Sequence, residues 1–254
     1  GYLASRAIPL APPTPPELKS NWNTLSETPR VLRLTRQDRA VFNAVLGISW
    51  FWFFGTVLIA QLPNYTRINL GGDGSVNILV LTLFSIGTGI GSLMCERMSG
   101  RRVEVGLVPL GAFGLTAFGV DLFFARPGAA LAHGLDWLAF LHSAGNWRVV
   151  LDLTLIGVFA GFYVVPLFAF IQSRAPLEQL SRVIAGNNIL NALLICCASG
   201  FGLGLGMLGF GVPQIFLATA VLNAVVAAYI FILVPEFVMR FITWVLVNTL
   251  YRVR

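Results

Sequence analysis

The chain has 254 residues, of which 56% are apolar and only 11% are Asp, Glu, Lys or Arg, less than half the charged share of a typical soluble domain. With a mean hydropathy of +0.78 it cannot cover a soluble surface of its own, which excludes a single soluble domain, a disordered chain and a nucleic-acid module. The net charge of +6 then reads as loop charge that sets topology, and no nucleic-acid partner is expected.

In chain order, residues 1–40 read as a linker. Gly1–Leu10 has the look of the end of an earlier span, Ala11–Pro16 is Pro-rich, and Lys19–Arg39 is polar and increasingly basic, suited to a short interfacial helix. Six stretches then have the length and apolarity of membrane spans: 41–62, 76–94, 105–124, 149–172, 183–208 and 214–235. None alternates apolar and polar residues as a barrel strand would, so the fold class is all-α, a polytopic membrane protein. Between the third and fourth spans, Leu135, Trp137, Leu138 and Leu141 predict a turn or two lying on the membrane surface. Residues 236–254 carry Glu236, Arg240, Asn248 and Arg252 at multiples of four, a polar stripe on an interfacial helix that leads toward a further domain.

Basic residues orient the set. Arg6, Lys19, Arg30, Arg33, Arg36, Arg39, Arg97, Arg101, Arg102, Arg174, Arg182, Arg240, Arg252 and Arg254 fall on one side; only Arg67, Arg126 and Arg148 fall on the other. Both ends of the six-span unit are therefore expected in the cytoplasm.

The loop after the second span reads Gly91-Ser92-Leu93-Met94-Cys95-Glu96-Arg97-Met98-Ser99-Gly100-Arg101-Arg102. It resembles the Gly-x-Leu-x-Asp-Arg-x-Gly-Arg-Arg loop of the major facilitator superfamily, with Glu96 in place of Asp and Ser99 as an extra residue. The resemblance implies one half of a twelve-span carrier, built as 3+3 inverted repeats. It makes Gly91, Glu96, Arg97, Gly100, Arg101 and Arg102 a conformational latch and implies an N-terminal six-helix half as partner. More narrowly, the tail Leu250-Tyr251-Arg252-Val253-Arg254 and the segment Leu180–Asn191 resemble lysophospholipid transporters of the bacterial inner membrane that are fused to a glycerophospholipid acyltransferase. That implies lysophospholipid flipping, followed by reacylation in a domain beyond Arg254. A proton-coupled drug or metabolite carrier and a plain membrane anchor for an acyltransferase are the other readings.

Within this frame the first and fourth spans should line a substrate path with Asn43, Trp50 and Tyr163, while Asn187 and Asn191, four apart on the fifth span, face a lipid headgroup or a neighbouring helix. Glycines at small-xxx-small spacing mark close helix contacts. Gly87 and Gly91 on the second span and Gly202 and Gly206 on the fifth are assigned to packing against the other half, with packing inside the six-helix set as the alternative. The third and sixth spans are expected to be lipid-facing supports. Asp121 and Asp152, near the outer ends of the third and fourth spans, are expected to be hydrated and to pair with Arg126 or Arg148. Cys95, Cys196 and Cys197 form no CxxC pair, and no nucleophile motif or metal-ligand spacing is present. No catalytic residue, metal or cofactor is expected within these residues.

Overall fold

The computed structural model describes residues 24–99, 105–125 and 134–233, with Met239, Ile242, Thr243 and Leu246 beyond them. The helices are α1 (Thr24–Thr35), α2 (Arg39–Asn64), α3 (Gly74–Met98), α4 (Leu107–Phe124), the short α5 (Trp137–His142), α6 (Trp147–Arg174), α7 (Leu177–Met207) and α8 (Val212–Leu233). Six of these segments, α2, α3, α4, α6, α7 and α8, are long and apolar enough to cross a membrane, so the chain has the build of a multi-pass membrane protein. The described residues contain no named strand, only an isolated bridge between Gly72 and Leu135.

Local chemistry sets the boundaries. Asp38 caps α2, accepting from the amides of Ala40 (2.8 Å) and Val41 (3.3 Å). Its other carboxylate oxygen accepts from Arg174 Nε at 2.9 Å, tying the start of α2 to the end of α6. Partial burial opposes the charge, yet these partners hold the Asp38 carboxyl below its ordinary value. Pro63, without an amide hydrogen, is the penultimate residue of α2, where the chain passes into a π-helical turn, Tyr65–Asn69. Asp73 caps α3 through Ser75, whose hydroxyl and amide lower the Asp73 pKa. The backbone of Gly71 (φ 64) and Asp73 pairs with Gly134 and Leu135, anchoring the segment that leads into α5. The α5 helix matches the surface turn expected from Trp137 and Leu138, both exposed, with Phe140 buried. The largest boundary shift is α7, which starts at Leu177 rather than 183. Pro176 sets its N-terminus, and the polar first turns hid that start from a hydropathy reading.

The helix α6 is the hub, packed on α2, α3 and α4. Against α3 the approach is backbone to backbone: a Cβ on Gly87 would lie 2.2 Å from Thr154 O, and one on Gly91 would lie 2.1 Å from Val158 O. Reciprocally, Gly157 and Gly161 abut Phe84 O and Ser92 N. The helix α4 packs on both α6 and α8, α2 packs on α6, α7 and α8, and α1 lies along α7 with Thr35 and Val31 against Gly186. Burial is uneven: 56% of the most apolar stretch of α6 is inside, against 22% for α3 and 17% for α7. Those two spans therefore turn most of their apolar surface outward. Of the expected linker, residues 1–23 lie outside the described residues, as does nearly all of the expected tail helix.

Candidate functional site

A cavity of about 240 Å³ opens between α2, α4, α6, α7 and α8. Asn43, Gly47, Ser49 and Trp50 line it from α2, Tyr163 and Leu167 from α6, and Val226, Tyr229 and Ile230 from α8. Among the described residues no Asp, Glu, Lys, Arg or His lines it. The cavity thus unites Asn43 and Trp50 with Tyr163, which lies more than a hundred residues further along the sequence.

Its walls are positioned by hydrogen bonds inside the bundle. Trp50 Nε1 donates to Asn223 Oδ1 at 2.8 Å, and Asn223 Nδ2 donates to Ala112 O (3.0 Å) and Thr116 Oγ1 (2.9 Å). One fully buried carboxamide therefore joins α2, α4 and α8. Trp50 stacks on Phe53 at 4.9 Å between centroids. Tyr163 stacks on Phe51 at 6.3 Å, and its backbone is held where Gly111 lets α4 approach; a Cβ there would lie 2.6 Å from Tyr163 N. Its side chain is completely buried, and its hydroxyl has no hydrogen-bond partner among the described residues. It sits beside Gly47, where a Cβ would be 3.4 Å from the hydroxyl oxygen.

Asn187 and Asn191 do not line this cavity. They are buried in the contact between α7 and α2. With its amide nitrogen turned to Ser49 Oγ (2.8 Å) and the Asn187 carbonyl (3.1 Å), Asn191 accepts from Trp52 Nε1 (3.3 Å) and Asn187 Nδ2 (3.0 Å). Asn191 thus reaches the cavity only through Ser49.

A second polar cluster lies at the far ends of α4 and α6. Arg148 grips Asp121 with two donors, Nε at 2.9 Å and Nη2. Asp152 adjoins this pair, but it is 1% exposed and its Oδ2 has no partner among the described residues. Pairing of Asp121 with Arg148 agrees with the sequence reading. The hydration expected for Asp152 does not, because that face of α6 turns into the bundle.

Two further expectations are corrected by the packing. Gly87 and Gly91, assigned to a second half, bed instead on the backbone of α6 within the six helices. On α7 Gly206 is exposed, and a Cβ there would meet open space, whereas Gly202 is buried and a Cβ there would lie 3.3 Å from Gln61 Nε2. Nor are the third and sixth spans plain supports: α4 brings Val108 and α8 brings three residues to the cavity, with Asn223 behind them. The signal missed was Asn223, the lone Asn of the sixth span. In the expected latch, Glu96 and Arg97 are exposed in the last turn of α3, where Ser99 Oγ donates to Glu96 O at 3.0 Å. Gly100, Arg101 and Arg102 lie outside the described residues. Among the described residues no group of His, Cys, Asp and Glu is placed to hold a metal ion. Compared with protein-family models, curated proteins and solved structures, the chain matches none.

Proposed function

We propose that this chain is a six-helix half of an alternating-access carrier of the major facilitator type, and that it moves lysophospholipids across a bacterial inner membrane. Both ends of the unit would be cytoplasmic, with an N-terminal half completing the path and a downstream acyltransferase domain consuming the cargo. The observation that carries the reading is the cavity where α2 and α6, the first and fourth spans, face each other around Asn43, Trp50 and Tyr163.

The contact pattern supports a 3+3 repeat. Exchanging first with fourth, second with fifth and third with sixth spans converts the α3–α6 contact into α7–α2 and the α4–α6 contact into α8–α2, and it leaves α2–α6 and α4–α8 unchanged. The arginines of the described residues favour the orientation: Arg30, Arg33, Arg36, Arg39, Arg97, Arg174 and Arg182 gather at one end of the spans. The uncharged lining suits an acyl chain, which needs no buried counter-charge. Uptake of radiolabelled lysophospholipid by spheroplasts tests the reading. Cells with the parent protein should accumulate it, whereas deletion cells and cells carrying Gly47→Trp, which fills the cavity, should not. Equal uptake in all three would overturn it.

One observation favours a second reading, a proton-coupled carrier: Asp152 is a buried carboxyl beside the Asp121–Arg148 pair. In proteoliposomes that reading expects Asp152→Asn to abolish uptake driven by an imposed pH gradient while leaving downhill exchange intact.

A further inference from the structure

Among the described residues that line the cavity, one buried polar atom is left without a hydrogen-bond partner. The Tyr163 hydroxyl is fully buried, has no partner among the described residues and borders the space beside Gly47. Its ring cannot readily swing away, since it stacks on Phe51 and its backbone lies against Gly111. A buried donor left unmade is costly, so a ligand offering an acceptor at that point recovers the deficit. The acceptor must be neutral: no cationic side chain among the described residues lines the cavity, and a phosphate or carboxylate there would be an uncompensated buried charge. The other polar walls are less demanding. The Trp50 indole is committed to Asn223, Ser49 contacts Asn191, and Asn43 and Tyr229 are not fully buried.

We infer that the Tyr163 hydroxyl recognises the uncharged carbonyl of a carboxylic ester, with the attached acyl chain filling the apolar cavity and any charged headgroup lying outside it. This rests on the reading of the cavity as the path of a monoacyl lipid. It assigns to Tyr163 the discrimination between ester-linked and ether-linked chains, since an alkyl ether lacks the carbonyl oxygen.

The test is equilibrium binding of a radiolabelled 1-acyl lysophospholipid and its 1-O-alkyl analogue of equal chain length to the full chain in nanodiscs. The wild type should bind the ester about 2- to 12-fold more tightly, the equivalent of one net hydrogen bond. Tyr163→Phe should weaken ester binding to the level of the ether and leave ether binding unchanged. Equal wild-type affinities, or an ester preference that survives in Tyr163→Phe, would overturn the role of Tyr163 while the carrier reading stands. Saturable binding of neither lipid would overturn the lipid path itself. The wild-type comparison requires no variant to fold.

Discussion

Glycines of identical spacing should respond oppositely to alanine. In Gly91→Ala the new methyl would meet Val158 O at 2.1 Å and Val158 C at 2.8 Å, both backbone atoms of α6. Ordinary contact begins near 3.4 Å, so the two helices must part by roughly 1 Å along a crossing that also carries Gly87, Gly157 and Gly161. Overpacking of this kind costs about 1–3 kcal/mol, and more where the backbone cannot yield. Better helix propensity returns about 1 kcal/mol. A net loss of about 2 kcal/mol would lower the thermal midpoint by about 4–8 °C for a unit of this size. At Gly200 and Gly204 of α7 a Cβ would meet nothing within 4 Å. There alanine keeps the propensity gain, and the midpoint should rise by a few degrees. Thermal unfolding of the purified proteins in one detergent, followed by circular dichroism, measures both. A Gly91→Ala midpoint equal to that of Gly204→Ala would refute the close α3–α6 crossing.

Three further outcomes follow from the polar groups. Asn223→Leu strands the Trp50 indole, so it should cost about 1–3 kcal/mol, read as a lower midpoint; an unchanged midpoint would contradict the buried hub. Tyr163→Phe removes an unsatisfied hydroxyl and should leave the ligand-free protein as stable as wild type or up to about 2 kcal/mol more stable, a result opposite to that expected for a structural hydrogen bond. Asp38 has a lowered pKa, so its cap and its pairing with Arg174 contribute above the ordinary carboxylate value and are lost as pH falls through the lowered one. The pair is well exposed, which limits the contribution to about 1 kcal/mol. The midpoint difference between wild type and Asp38→Ala should therefore be present at pH 7 and shrink below about pH 4.

The spans were legible because bilayer length and apolarity are properties of contiguous residues. All six stretches reappear as helices, and the surface turn at Trp137 follows from local pattern alone. The meeting of Asn43, Trp50 and Tyr163 was foreseeable once the first and fourth spans were paired. Which neighbour each helix face meets was not. Gly87 and Gly206 sit in equally spaced motifs, yet one beds on α6 and the other faces open space. Spacing records that a close approach is possible, and only tertiary packing says against what. The burial of Asp152 escaped for the same reason, since depth along a helix is readable while azimuth is not. Asn223, the lone Asn of its span, was a clue to the role of α8.

The central claim, that the cavity around Tyr163 is a carrier's path exposed to each side in turn, is tested most directly by side-specific labelling of Asn43→Cys. The background has Cys95, Cys196 and Cys197 replaced, because two of these are exposed. A membrane-impermeant thiol reagent applied to the parent protein in oriented vesicles should label position 43 from both faces, and saturating lysophospholipid should slow both reactions. Labelling from one face only, unaffected by the lipid, would contradict the account.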